Sequence, residues 1–543
     1  MVQILDQYGK PMAPLPRGRR QALNGYSETP YDAASSYSSE LANWVPYLGS
    51  PDNEINNYRD RIVSRVRDLV RNDGWASGGV TRILDNAVGA VFRPIVKPDY
   101  RALAFYTGNK SFDATWADEY GRAVEAAFRT WSTAEGRYCD VERKLTVSQM
   151  FRLAFRHKLI DGDALAILQF REDRVGRGRA HFATAIQIVD PDRLSNPQQQ
   201  FDLEHIRGGV ELDDDGAPVA YHIRKAHVGD WWSAADSVTW ERVARETSWG
   251  RPVVVHDFDH DRASQHRGTG IFTPVVQRLK MLVKYDATEL ESAVLNAIFG
   301  AYIESPYDPQ LVEQAMGTSV EDIASYQDQR KEFHDDRRLT LGNGARMPIM
   351  FPGEKVVTVN AARPSSNFPA FESAVLRNTS SALGISESQL TQDWSKVNYS
   401  SARSALLEAW KTLTRRRIDF ATGFAQPILG AFIEELHDTV DLPLPAGAPE
   451  FLECRTAYSR SQWMGPGRGW VDPVAEKKGA ILGMDAGLST LEIECSENVG
   501  EDWEDLLDQR QREIEALKER GLPLPAWAIS QDAEDTIKEP EEQ

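Results

Sequence analysis

At 543 residues the chain has room for roughly two to four domains with cores of their own, so neither a metal staple nor a disulfide framework is needed for folding. Its composition, 41% hydrophobic and 26% charged, is globular rather than disordered, and a net charge of −19 disfavours a protein that coats nucleic acid. Three cysteines far apart in sequence, Cys139, Cys454 and Cys495, exclude a disulfide scaffold and point to a reducing compartment. No apolar run approaches the ~20 residues of a membrane span, and residues 1–20 lack the apolar stretch of a signal peptide. A soluble, acidic, multidomain protein is expected.

Residues 1–50 are polar and rich in Gly, Pro, Ser and Tyr, which predicts an extended arm that orders against a partner or neighbouring subunit. Helical spacing begins near Glu54, with Ile55, Tyr58, Ile62, Val66, Leu69 and Val70 three or four apart until Asn72-Asp73-Gly74. A second apolar segment spans 80–91. An amphipathic pattern over 113–131 places Trp116, Tyr120, Val124, Phe128 and Trp131 on one face, and a helix over 150–160 closes at Asp161-Gly162-Asp163. Strand-like runs follow at 164–170, 185–189, 219–225 and 252–258, with Asp213-Asp214-Asp215-Gly216 as a hairpin-type turn. Helices followed by a meander predict an α+β domain of about 260 residues.

Beyond Gly270 the texture changes. Thr273-Pro274 reads as an N-cap with proline at the first helical position. It opens a long helix to residue 299, whose stripe of Val275, Leu279, Leu282, Val283, Leu290, Val294 and Ile298 is interrupted near Asp286. A compact insert at 300–362 carries strand candidates at 301–304 and 355–360 around a polar helical stretch. A second helix over 369–383 stops at Gly384. A loop over 385–398 then leads to a third long helix from Ser400 past Phe420, which Pro427 should kink or break. Residues 473–520 read as helical and acidic with Gly521 as their stop, and 532–543 as a charged tail.

Motifs of enzymes are missing: the sequence contains no G-x-x-x-x-G-K-[ST], H-E-x-x-H, G-x-S-x-G or C-x-x-C. The densest metal-competent cluster is His256, Asp257, Asp259, His260 and Asp261, with His266 nearby. A metal-dependent hydrolase built on His256–His266 is the alternative reading. Strand alternation, however, puts His256 and His260 on the face opposite the three aspartates, which favours a strand end running into a solvated loop. The run Gly465-Pro466-Gly467-Arg468-Gly469 lacks the strand and helix that would aim amides at a phosphate, so a structural turn is expected. Arg415, Arg416 and Arg417 are candidate basic contacts for a phosphate backbone, against a solvated helix face. Trp116, Trp131 and Trp410 lie on apolar stripes and read as core. No catalytic residue, resident metal or cofactor is expected.

Several stretches resemble the lambda-like family of tailed-bacteriophage portal proteins. The most specific is Asp393-Trp394-Ser395-Lys396-Val397-Asn398-Tyr399-Ser400-Ser401-Ala402-Arg403, continuing through Leu406-Leu407-Glu408 and Trp410, with Trp394 where the family has Phe. Gly209-Val210-Glu211-Leu212-Asp213 with Gly216, Pro218, Ala220 and Tyr221 is similar to a second element, and His227-Val228-Gly229-Asp230 departs by one residue from a third. Arg262, Gln265, Arg267 and Gly268 match a turn just ahead of the long helix. Near the C-terminus Trp463, Gly465-Pro466-Gly467, Val471-Asp472-Pro473 and Glu476 match, then Gly487-Leu488-Ser489-Thr490, Glu492-Ile493 and Asp502-Trp503-Glu504. These matches run in order from 209 to 504.

The resemblance implies a homo-oligomeric ring, usually a dodecamer, at one capsid vertex of the virion, assembled in the host cytoplasm, with double-stranded DNA passing non-specifically through its channel. Its implied partners are the terminase large subunit, a head-completion or adaptor protein, and the major capsid protein and scaffold, with no membrane. The implied portal fold has an α/β wing, a helical stem, a small α/β clip and a helical crown. Mapped onto this sequence, the plan gives an arm at 1–50, a wing at 51–268, stem helices at 269–299 and 363–384, and a clip at 300–362. A channel loop at 385–398, a long kinked helix at 399–437, a returning wing segment at 438–471, a crown at 472–521 and an acidic tail at 522–543 follow. Ser395, Lys396, Asn398, Tyr399 and Arg403 are then the candidate channel-loop residues. Such a conduit must avoid holding DNA, because each cation that neutralises a phosphate adds affinity. A mostly acidic wall with one girdle of Lys396 offers steering without retention.

Overall fold

The computed structural model describes residues 32–34, 39–41, 43–298, 302–304, 328–329, 331–333, 338–340, 346–348, 355–357, 368–395, 397–468 and 472–525. Most of the expected arm and of the acidic tail, and much of the insert, lie outside the described residues. The chain is a mixture of helices and small antiparallel sheets, as the α+β reading expects.

Where one helix was expected from Glu54, there are two, α1 (Pro51–Ile55) and α2 (Arg59–Asn72). The break falls at residues 56–58, where Asn56 Nδ2 donates to Asp202 Oδ2 at 2.7 Å; within α1, Asp52 Oδ1 accepts from His266 N at 3.0 Å and its Oδ2 lies 2.8 Å from His266 Nδ1. Asp73 caps α3 (Gly74–Ala87), which covers much of the second apolar segment. Strand β1 (Arg93–Val96) leads to α4 (Tyr100–Thr107). Next come α5 (Ala114–Thr133), capped by Asp113, and α6 (Val147–Asp161), opened by a Thr146–Gln149 capping box.

The meander resolves into two sheets. Strands β2 (Asp163–Phe170), β3 (Thr184–Val189) and β8 (Val254–Phe258) form one in the order β3-β2-β8, with Leu165 opposite both Val189 and His256. Strands β4 (Ile206–Arg207), β5 (Val210–Leu212), β6 (Pro218–Arg224) and β7 (Trp240–Ala244) form the other in sequence order, turning at Gly216 as anticipated.

Helix α7 spans Val276–Ile298, about 34 Å at ~1.5 Å per residue. Its start corrects the expected cap: the Thr273 hydroxyl donates to Gly270 O at 2.6 Å, so residues 271–275 form turns and the helix begins after them. In the insert, β9 (Tyr302–Glu304) pairs with β12 (Lys355–Val357) as the strand candidates suggested. The hairpin of β10 (Arg338–Thr340) and β11 (Arg346–Pro348) was not anticipated. Helix α8 (Phe368–Leu383) returns beside α7, Tyr285 meeting Phe368 and Phe371 at 5.4 and 5.1 Å between centroids.

A short helix, α9 (Glu387–Thr391), interrupts the expected loop. Helix α10 (Tyr399–Phe420) then passes through a wide π-type turn at Ala421–Ala425 into α11 (Gln426–Thr439). Pro427 therefore does not break the helix. It falls in the first turn after the widened segment, where a missing N–H costs little. Helix α12 (Arg455–Ser459) and strand β13 (Ser461–Met464) follow, β13 pairing with β1 so that Arg93 faces Met464. The acidic C-terminal stretch is largely helical, as expected, with α13 (Pro473–Asp485), α14 (Leu491–Glu494) and α15 (Trp503–Glu519).

A smaller buried cluster, with Leu165, Val189, Val210, Tyr221 and Val254 among its members, joins the two sheets, and a larger one joins the helices to β2 and β3. Helix α11 runs through it, with Ile428, Leu429, Phe432, Ile433 and Leu436 fully buried. Phe432 stacks on Trp131 at 4.6 Å, and Phe420 stacks on Phe424 at 5.1 Å. Trp116 and Trp131 are buried, as expected, while Trp410 is half-buried.

Candidate channel segment and its anchoring

The residues of the Asp393–Arg403 signature shape the backbone. Ser386 and Gln389 form a capping box on α9, and Gln392 leaves it in a left-handed conformation. Asp393 Oδ1 then accepts from Ser395 N at 2.9 Å, and Asn398 Oδ1 accepts from Ser401 N at 2.9 Å to cap α10. Asp393 makes the turn and Asn398 starts the helix, so these two polar residues of the motif each have a local backbone task. Ser395 and Asn398 are exposed, Tyr399 opens α10, and Lys396 lies outside the described residues. Arg403, one turn into α10, is 3.7 Å from Glu476 Oε1 on α13.

The three consecutive arginines do not form one basic patch. Arg415 is exposed and pairs with Asp419 at 2.9 Å. Arg416 donates to Leu383 O at 2.8 Å and so ties α10 to the end of α8. Arg417 is buried, donating to Ala87 O at 2.7 Å, Asn86 O at 3.1 Å and Pro466 O at 3.0 Å, with its guanidinium 5.1 Å from the Trp410 ring. Burial pushes it down to about 10. Helical rotation of ~100° per residue sends the three side chains to different neighbours, which a linear charge run does not reveal. The turn at Gly465-Pro466 is thus a structural junction, as expected.

The His256–His266 cluster separates onto different partners. His256 is buried with Nε2 3.5 Å from Asp163 Oδ1. Asp257 and Asp259 hold Lys158 at 2.8 and 3.0 Å, the His260 ring stacks on Phe258 at 4.2 Å, and His266 pairs with Asp52. The alternation that separates His256 from the aspartates is present, and these groups converge on no common point. Ligand-type side chains do converge elsewhere, in His157, Asp161 and Asp190 and in Asp190, Asp192 and His227. Arg67 stands among them, contacting Asp161 at 2.7 Å, Asp190 at 2.5 Å and Asp192 at 3.2 Å, so a guanidinium already supplies the balancing positive charge.

The turn that leads into α7 is braced from below. Asp163, fully buried at the start of β2, accepts from Arg59 Nη2 at 2.8 Å, Arg267 Nε at 2.7 Å and Gly268 N at 2.6 Å. Burial opposes its charge, yet Arg267 and Arg59 hold its carboxyl well below the usual carboxylate range. Arg267 also donates to Leu194 O at 2.6 Å and Pro191 O at 2.9 Å. Gly268 leaves no room for a side chain: a Cβ there would sit 2.1 Å from Gly162 O. Arg267 and Gly268 belong to a matched motif, but their partner Asp163 was visible only as part of a helix stop. Glu435 was missed entirely; within α11 it accepts from Thr184 N at 2.9 Å and so bolts the long helix to β3.

Capping, turning and bracing are what the motif residues do, and they define a structural building block of mixed helix and sheet. The chain belongs to the lambda family of phage portal proteins: the sequence model described as "Phage portal protein, lambda family" matches residues 37–417. It is similar to the portal protein of Escherichia phage N15, 30% identical over 508 residues, and to portal protein B of Escherichia phage lambda, 29% identical over 508 residues; each comparison covers 92% of both chains. Among solved structures, a chain of "Neck of empty GTA particle computed with C6 symmetry" is similar with a TM-score of 0.42 at 14% identity, covering 79% of this chain and 92% of that one.

Proposed function

We propose that copies of this phage portal protein close into a ring, a dodecamer in the assembled head, at one vertex of the capsid. Double-stranded DNA is packaged through it and later ejected. The ring also serves as the platform on which the terminase large subunit and a head-completion or adaptor protein dock, with the major capsid protein and scaffold around it. It assembles in the host cytoplasm and carries out no bond-making of its own.

One observation supports the ring beyond family membership. Helix α7 buries Leu279 and Leu282, yet Met281, Leu290 and Val294 on the same helix and Phe371 on α8 are largely exposed. Apolar surface on a paired-helix arm is what a heterologous, ring-closing contact needs. In this reading α7 and α8 are the stem on either side of the clip at 300–362, residues 51–268 with 438–471 form the wing, and 472–521 form the crown. The segment 385–398 with the start of α10 lines the channel, so that Ser395, Lys396, Asn398, Tyr399 and Arg403 face DNA. Arg415 is the member of the arginine run left for a phosphate contact. Electron micrographs and native mass of the purified protein test the proposal: closed rings are expected, and single chains alone at assembly concentrations overturn it.

A further inference from the structure

Among the described residues no apolar side chain of α13 or α15 is buried, and α13 is held through Glu476, whose side chain is covered beside Arg403. What seats the C-terminal helices is the short stretch around α14, where Cys495 and Asn498 are buried and Arg468 N donates to Glu497 O at 2.7 Å. Gly500 follows at φ 77°, so close to the Gly465–Gly467 turn that a Cβ would lie 2.7 Å from Gly467 N. Past this point α15 meets the face formed by β1 and α5 through its acidic first turn. Arg122 Nε lies 2.7 Å from Glu504 Oε2, and Asp505 Oδ2 lies 3.4 Å from Arg93 and 3.7 Å from Arg129. Lys97, just after β1, pairs with Glu492 of α14. Among these cations on α5 is an acid, Glu125, whose Oε1 accepts from Val96 N at 2.6 Å. It faces Asp502 and Glu504 across the contact, with Arg93 and Lys97 beside it; Asp118 acts on Lys97, and Asp508 on Arg122.

We propose that α15 is a charge-operated latch: Arg93, Arg122 and Arg129 dock its first turn onto β1 and α5, and a negative Glu125 repels Asp502 and Glu504 and releases it. Two features make the contact switchable. Arg122 and Arg129 are 66% and 61% exposed, and ion pairs of that kind are weak and screened by salt. Burial, reinforced by Asp502 and Glu504 against the opposing Val96 N and Arg93, pushes Glu125 up to about 7. A carboxyl raised above its ordinary 4.5 favours docking while neutral, so docking is tightest at low pH and weakens as pH rises towards and through about 7. Since the contact lies within one chain, it stands or falls separately from the ring.

Hydrogen–deuterium exchange on the full-length protein tests the latch. Amides of α15 and of Val96 should lose several-fold protection, after correction for intrinsic rates, between about pH 6 and about pH 8, and again on adding salt, while α6 does not change. Glu125→Gln keeps an acceptor for Val96 N and should abolish the pH step. Arg122→Glu should raise exchange in α15, and adding Glu504→Arg in that background should restore protection. A pH step that persists in Glu125→Gln, or α15 protection unaltered in Arg122→Glu, overturns the latch.

Discussion

Arg267 Nε and Asp163 Oδ2 meet at 2.7 Å with both side chains sealed from solvent, and this contact joins β2 to the turn that launches α7. Arg59 shares the same carboxylate oxygen from α2. The long helix therefore starts from a turn braced by buried charge as well as by the buried apolar residues Phe272, Val275 and Leu279.

Removing one member of this pair strands the other in a dry site, so Arg267→Ala or Asp163→Asn should cost about 3–5 kcal/mol. Chemical or thermal denaturation of the full chain measures it. The pH dependence has a definite sign. Asp163 is held below its ordinary 3.8, so its contribution is complete above that value and is lost as pH falls below it. Wild type should lose stability on acidification below about pH 4 more steeply than Asp163→Asn; parallel curves would show that the pair contributes nothing.

Phe432 packs on Trp131 at 4.6 Å, with Phe182 at 5.0 Å and Phe128 at 5.7 Å. Phe432→Ala opens a cavity where α11 crosses α5, and a loss of about 3–5 kcal/mol is expected. Near-ultraviolet circular dichroism and a melting curve report it together.

Leu290 is 68% exposed on α7. Leu290→Glu should leave the melting of the isolated chain within about 0.5 kcal/mol of wild type, because no buried contact is lost. Ring yield by native mass should drop if this face closes the ring. Undiminished rings would remove this face of α7 from the ring contact.

Lys396→Glu replaces the single cation of residues 385–398, the proposed channel segment, with an anion. DNA packaging or retention should be impaired with ring assembly intact, measured as DNA-filled heads against portal incorporation. Unchanged packaging and retention argues against the placing of residues 385–398 in the channel.

Local signals in the sequence carried far. Gly162 and Gly384 stop helices in left-handed geometry, and β2, β3, β6 and β8 lie within a residue or two of their expected runs, while the Thr146 cap starts α6 three residues ahead of its expected onset. Each is a local pattern, a glycine free to take positive φ or an apolar or alternating run of a few residues. Expected helix boundaries moved where another hydrogen-bond partner or a widened turn intervened. Gly270 O takes the hydroxyl expected to cap α7, Asn56 turns to Asp202 where α1 gives way to α2, and a π-type turn absorbs Pro427.

The candidate site divides in the same way. Family membership, the turn at Asp393 and the cap at Asn398 were legible in the residues, since a motif of backbone-shaping side chains is a local pattern. That Arg415 reaches solvent, Arg416 a helix end and Arg417 the interior was not, because three adjacent residues on a helix point in three directions and only the packed neighbours assign each a partner. Nor could sequence pair Asp163 with Arg267, or Glu435 with Thr184, since those contacts join segments more than a hundred residues apart. The sequence by itself determined the kind of protein and its helices and strands; the tertiary structure decided which charges are buried and matched, because removing a charge from water is tolerable only where folding brings its partner within reach.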